Sequence, residues 1–217
     1  MPRSAPAARP SQPEPVGRGA DTYRRILDAA AEALVSGHGA FEIGDVAKRA
    51  EVSVGLSYHH FGSKAGLVAA VVEEFYARFE AAVMDINPKP GADWGERERL
   101  RLERMIAFHY SDPLAPVILA RLSREPEVAA VEAERIDRHI ALAARNIEIA
   151  QARGEIPAEL DAHLLGAMIL GGLRQAVGQA LAMPRRPSQA RLADQLWAFI
   201  AGTARFRPPA KTMTKKR

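Results

Sequence analysis

Within the twelve residues from Ser53 to Lys64 stand a hydroxyl, a phenol, two imidazoles and an ammonium: Ser53, Tyr58, His59, His60 and Lys64. Groups of these types donate hydrogen bonds to phosphate oxygens and base edges. The remaining candidates for chemistry are sparse. His109, His139 and His163 are isolated and lack metal-ligand spacing. There is no glycine-rich phosphate loop and no G-x-S-x-G. Glu132, Glu134 and Asp137 alternate with Arg135 and Arg138, which reads as the solvated face of a helix. No catalytic residue, metal or cofactor is expected, and the chain is not expected to be an enzyme.

Two short helices must position the cluster. Ile43, Val46 and Ala47 follow the i, i+3, i+4 spacing that places apolar side chains on one helical face. Ala50-Glu51-Val52-Ser53 breaks that pattern, and the Ser53 hydroxyl is placed to cap a second helix from Val54 to His60. A helix–turn–helix of this size is the usual way to lay one helix in the DNA major groove.

The stretch from Ile43 to Lys64 resembles the DNA-binding signature of tetracycline-repressor-like (TetR-family) transcriptional regulators. The matching elements are Asp45-Val46-Ala47, Ala50-x-Val52-Ser53, Gly55, Tyr58-His59-x-Phe61 and Ser63-Lys64, with no gap. With the preceding helical segment, the resemblance covers about a fifth of the chain. It implies that the residues matching Tyr58 and Lys64 contact phosphates and that those matching Val54, Gly55 and His59 approach bases or nearby backbone. The candidate DNA-contacting set is Ser53, Val54, Gly55, Leu56, Tyr58, His59, His60 and Lys64; for Phe61 the expected place is the core of a three-helix unit.

Four features depart from the family pattern. Glu51 stands where the family usually has Gly, so a residue with a β-carbon must take the left-handed conformation. Leu56-Ser57 inverts the usual order of hydroxyl residue then Leu, which places a hydroxyl where an apolar core residue belongs. The loop before Ile43 is short, and Phe41-Glu42 replaces the usual Thr/Ser cap of the second helix.

The chain has 217 residues, enough for one large domain or two small ones; 47% are hydrophobic and 26% charged, as in an ordinary soluble globule. Without cysteine there is no disulfide framework, thiol nucleophile or zinc–thiolate site, and a reducing cytoplasm is compatible. The longest apolar run, Leu164 to Leu173, stops at Arg174, about half the ~20 residues a bilayer span requires. The first residues lack the apolar centre of a signal peptide. Net charge is only +4, but basic residues gather at both ends: Arg3, Arg9 and Arg18 against Glu14, then Arg205, Arg207, Lys211, Lys215, Lys216 and Arg217 with no acid. Such tails either attract phosphates without regard to sequence or merely solubilise the ends.

Apolar periodicity, caps and Gly/Pro breaks predict an all-α chain: a tail over 1–20, a small helical unit over 21–64 with the helix–turn–helix, a larger helical unit over 65–206, and a basic tail over 207–217; the resemblance implies that the first unit binds DNA and that the second binds a ligand and dimerises. Nine helices are expected, starting near Asp21, Ile43, Val54, Lys64, Trp94, Pro113, Glu125, Ala158 and Gln189.

The eighth expected helix carries Gly166, Gly171, Gly172 and Gly178 among alanines. Each mid-helix glycine costs roughly 0.5–1 kcal/mol against alanine, which close helix–helix approach offsets. The resemblance implies that the last two helices form a two-fold dimer, with Gly166, Leu170, Gly171, Leu192, Leu196, Trp197 and Ile200 at the interface; packing within one chain is the alternative. It also implies an effector pocket, for which Trp94, Met105, Phe108, His109, Leu119, Met168, Arg174 and Gln175 are candidates, a packed core being the alternative. Arg174 stands alone in an apolar helix, open to a ligand carboxylate, to an acid across the dimer, or to water. Together these readings describe a cytoplasmic homodimer that binds near-palindromic double-stranded DNA, a repressor modulated by a small ligand. A DNA-organising or protein-docking regulator without an effector is the alternative.

Overall fold

The computed structural model describes residues 17–120, 122 and 126–208, and among them all regular structure is helical. The expected basic tails fall mostly outside these residues. The elements are α1 (Arg18–Ser36), α2 (Ile43–Arg49), α3 (Val54–Phe61), α4 (Lys64–Phe79) with a π-helical turn (Glu80–Met84), α5 (Trp94–Ser111), α6 (Ala115–Ala120), α7 (Pro126–Ala152), α8 (Ala162–Ala182) and α9 (Gln189–Thr203).

Local chemistry sets the boundaries. The Ser53, Ser63 and Ser188 hydroxyls cap α3, α4 and α9 by accepting from amides one turn in. Asp93 and Asp161 do the same for α5 and α8, so α8 begins at Ala162 rather than near Ala158. Helix α1 begins three residues before the expected Asp21, at Arg18. As the sequence implies, α2 has no side-chain cap: Glu42 occupies the position and makes no capping bond.

The amino-terminal unit packs α1, α2 and α3 around Ile26, Ala30, Leu34, Val46 and Leu67, all buried. Helix α4 then runs from α1 and α3 into the larger unit, where Phe75 and Val72 are fully buried. There α7 lies along α8, α5 along α9, and α4 against α7. One sequence expectation needs correction. Helix α8 does reach the length and apolarity of a membrane span. In the fold it packs against α7 and α6, burying Leu165, Ile169, Leu173 and Val177.

Candidate nucleic-acid interface and effector cavity

The turn between α2 and α3 closes in a Schellman motif. The Val52 amide donates to the Ala47 carbonyl at 3.0 Å and the Glu51 amide to Lys48 at 3.2 Å. Glu51 takes φ 55°, the left-handed conformation that glycine occupies without a β-carbon penalty. Ser53 Oγ then accepts from the Leu56 amide at 3.2 Å and starts α3. Gly62, at φ 72°, turns the chain into α4.

Helix α3 has two distinct faces. Val54 and Tyr58 are 40% and 44% exposed, and Gly55 and His59 are open beside them. Positions i, i+1, i+4 and i+5 form one helical face, so phenol, imidazole and bare backbone point the same way. A β-carbon at Gly55 would meet nothing closer than Ser53 Oγ at 3.9 Å, so nothing obstructs this face. Lys64, about half exposed, holds its ammonium 3.9 Å from the Glu42 carboxylate and 5.1 Å from the Phe41 ring centre. Leu56 and His60 are only partly exposed. His60 turns its ring back toward Tyr23 of α1, 6.1 Å away, while Phe61 stacks on Tyr23 at 4.7 Å as a core residue. Ser57 is 1% exposed and its hydroxyl has no hydrogen-bond partner among the described residues.

The second candidate site is a cavity of about 240 Å³ walled by α4, the π-helical turn, α5, α7 and α8, with Leu119 of α6 and Ile200 of α9. Of the candidate residues, Trp94, Met105, His109, Leu119 and Arg174 line it. Three candidates do not. Phe108 packs its ring at a steep tilt against Phe75 and Phe79, at 5.4 and 5.5 Å, and is not among the lining residues. Met168 and Gln175 sit on the outer face of α8, Met168 being 55% exposed.

The polar groups of the cavity are tied across helices. Arg174 of α8 donates to Glu132 of α7 at 2.7 Å and to the Tyr76 hydroxyl of α4 at 2.8 Å. That hydroxyl donates in turn to Glu132 at 2.7 Å. Arg174 thus has partners within its own chain, while its side chain stays 30% exposed. Glu132 was expected on a solvated face and is 6% exposed, because 132, 135 and 139 form the inner stripe of α7 while Glu134 and Asp137 point out. On the same stripe, Arg135 and His139 grip Glu80 of the π-helical turn at 2.6 and 2.9 Å. Arg101 Nη1 donates to the carbonyls of Val83, Met84 and Ile86, at 2.7, 3.1 and 3.2 Å. These contacts fix the end of α4, where Phe79, Val83 and Met84 meet the cavity.

Burial and charge shape the titrations. Burial pushes the Tyr76 phenol well above its usual range, Arg174 opposing and Glu132 adding to it. Burial raises the Glu98 carboxyl against the pull of Arg101 and Arg97. Burial also holds His109 below the usual imidazole range, against the Met105 carbonyl and Asp112. Glu80 sits below the usual carboxylate range: burial raises it, but the hydrogen bonds and charges of Arg135 and His139 outweigh that.

The residues expected at a dimer interface mostly face inward. Leu192, Leu196 and Ile200 are 3–6% exposed, forming the stripe by which α9 packs on α5. Trp197 meets Trp94 and Phe206 at 6.3 and 6.2 Å. A β-carbon at Gly166 would stand 3.2 Å from that of Ala143, so this glycine serves the α7–α8 approach. Leu170 borders the cavity. Gly171 alone is open, with nothing within 4 Å of its β-carbon position. The apolar residues left outward on α8 and α9 are Leu164, Met168 and Phe199, at 62%, 55% and 40% exposure. Core and interface both demand an apolar stripe, and periodicity cannot say which stripe serves which.

Comparison with known proteins agrees with this geometry. The family described as bacterial regulatory proteins, tetR family, matches residues 26–71. No curated protein matches. Among solved structures, a TetR-family transcriptional regulator from Rhodococcus sp. is 25% identical, with TM-score 0.63, over 85% of this chain and 98% of its own. The regulator FadR from Bacillus subtilis, in complex with stearoyl-CoA, is 21% identical with TM-score 0.72, covering 83% and 98%. AibR, in complex with isovaleryl coenzyme A and operator DNA, is 18% identical with TM-score 0.62, covering 82% and 97%. Residues 26–71 thus match the tetR family in its helix–turn–helix region, and the chain has the fold of the TetR-family transcriptional regulators.

Proposed function

We propose that this regulator is a homodimer that binds a near-palindromic operator, represses transcription from it, and is modulated by a small ligand in the cavity. The carrying observation is α4. It starts at Lys64, just after the exposed face of α3, and ends with Tyr76 and Phe79 on the cavity wall, followed there by Val83 and Met84 of the π-helical turn. One helix therefore touches both candidate sites. A ligand that favours one arrangement of the cavity wall shifts α4, and with it the separation of two reading helices in a dimer. Residues 21–64 form the DNA-reading unit and 65–206 the ligand-binding and dimerisation unit, working in the cytoplasm. The outward residues Leu164, Met168 and Phe199 supply the dimer face, and the two α3 helices then read half-sites about 34 Å apart. Ser53, Val54, Gly55, Tyr58, His59 and Lys64 make the DNA contacts. Acyl-coenzyme A thioesters in two of the similar structures support the cavity as an effector site. The cavity also weighs against a purely DNA-organising role without an effector. Selection of bound duplexes from a random pool tests the proposal: a palindrome should be enriched, and a pool that stays random would overturn it.

A further inference from the structure

His109 is a buried polar group of the cavity wall with one ring nitrogen left unpaired; Glu98 Oε1 on the same wall also lacks a partner among the described residues, while its other oxygen accepts from Arg101. His109 Nδ1 lies 2.7 Å from the Met105 carbonyl, one turn back on α5. A carbonyl only accepts, so Nδ1 carries the proton and Nε2 presents a lone pair. That lone pair has no hydrogen-bond partner among the described residues, although His109 is 5% exposed and borders the cavity. The ring is clamped beside Phe79 at 5.1 Å, Phe108 at 5.6 Å and Phe75 at 6.1 Å, so it does not swing away to find one.

The surroundings decide what an incoming group must be. Burial opposes protonation of the imidazole, and so does the nearby Arg174 charge, so the ring stays an acceptor. A ligand carboxylate would set its own lone pairs against Nε2. The cation it would seek instead, Arg174, already bonds Glu132 and Tyr76, and Glu132 is buried. Taking Arg174 from Glu132 would strand a buried carboxylate. A ligand ammonium would sit close to the Arg174 charge. An uncharged donor meets none of these objections. The remaining wall is largely hydrocarbon and aromatic, including Met105, Leu102, Trp94 and Phe79. Its volume of about 240 Å³ lies at the small end of ligand sites, below the usual ~300–1,000 Å³.

We propose that the cavity binds a compact apolar molecule bearing a hydroxyl, of the phenol or alcohol class, with the hydroxyl donating to His109 Nε2. The inference rests on the cavity being a ligand site, but its test does not need DNA. The probes are biphenyl-4-ol, biphenyl and biphenyl-4-carboxylate, which share one body and differ in one group. Calorimetric titration into the full chain should give the phenol about three- to tenfold tighter binding than biphenyl, the return on one buried hydrogen bond. The carboxylate should bind more weakly than the phenol. His109→Phe keeps an aromatic ring in the cluster, and should bind biphenyl while losing the advantage of the phenol. Equal binding of phenol and carboxylate, an advantage that survives His109→Phe, or no binding of any probe would each overturn the proposal. Anisotropy of a labelled duplex in the same preparations separates the two readings. Phenol binding that leaves duplex affinity unchanged would refute the effector role and leave the ligand class standing.

Discussion

Arg174→Met is the most informative single change in the larger unit, because it cuts the tie that joins α4, α7 and α8. Arg174 is 30% exposed in its side chain, Glu132 only 7%. Removal of the guanidinium leaves a buried carboxylate whose one remaining partner among the described residues is the Tyr76 hydroxyl. Breaking a buried pair in this way costs about 3–5 kcal/mol. Water reaches Arg174 from its exposed side, so the lower end, about 3 kcal/mol, is expected, or roughly 6–12 °C in Tm for a chain of this size. Glu132→Leu in the same chain removes the stranded charge and should restore most of that loss, since well-packed apolar replacements of buried pairs are often near neutral. The assay is urea unfolding of both single variants and the double variant, read as midpoints at constant m value. The coupling energy should exceed about 1.5 kcal/mol. An Arg174→Met loss below about 1 kcal/mol, or additive singles, would refute the assignment of this network as a buried tie.

Ser57→Ala should stabilise the protein by about 1 kcal/mol, since it removes a buried hydroxyl without a partner and improves helix propensity; a destabilised variant in urea unfolding would show that the hydroxyl has a partner. Stability should fall as pH drops from 7.5 to 5.5. His109 and His139 are held below the usual imidazole value near 6.5, so the unfolded chain takes up protons that the folded chain resists. Their contribution is complete above about 6.5 and lost below it, and His109→Gln should flatten the fall in urea midpoint between the two pH values; an unchanged slope would contradict this. Met168→Glu, on the outer face of α8, should yield folded monomers by light scattering, with operator affinity lost; a dimer that persists would move the interface elsewhere.

Much of the frame was legible because it is local. Ser53, Ser63 and Ser188 announce their helices by type and position, and the apolar periods of α1, α4 and α9 are strong. Glu51 and Ser57 were also readable as local misfits, and the structure gives them a left-handed backbone and an unpartnered hydroxyl respectively. What the sequence hid is pairing at long range. Nothing near Arg174 names Glu132, 42 positions away, or Tyr76, 98 positions away. Charge alternation on α7 concealed that Glu132, Arg135 and His139 share its inner stripe, because each pays for burial with a partner on another helix. The π-helical turn at Glu80–Met84 has no local signal either; it is held from outside, by Arg101, Arg135 and His139.

The most direct test of the central claim is duplex binding as a function of salt, for the wild type and two variants, on a selected palindrome and on a scrambled duplex. The account predicts that Lys64→Ala weakens both duplexes alike and lowers the salt slope by about one per protomer, as expected for a lost phosphate contact. His59→Ala should leave the scrambled duplex nearly unchanged while costing about 1–3 kcal/mol on the palindrome. Equal affinity of the wild type for both duplexes, or equal losses on both for each variant, would contradict the assignment of α3 as a sequence-reading helix.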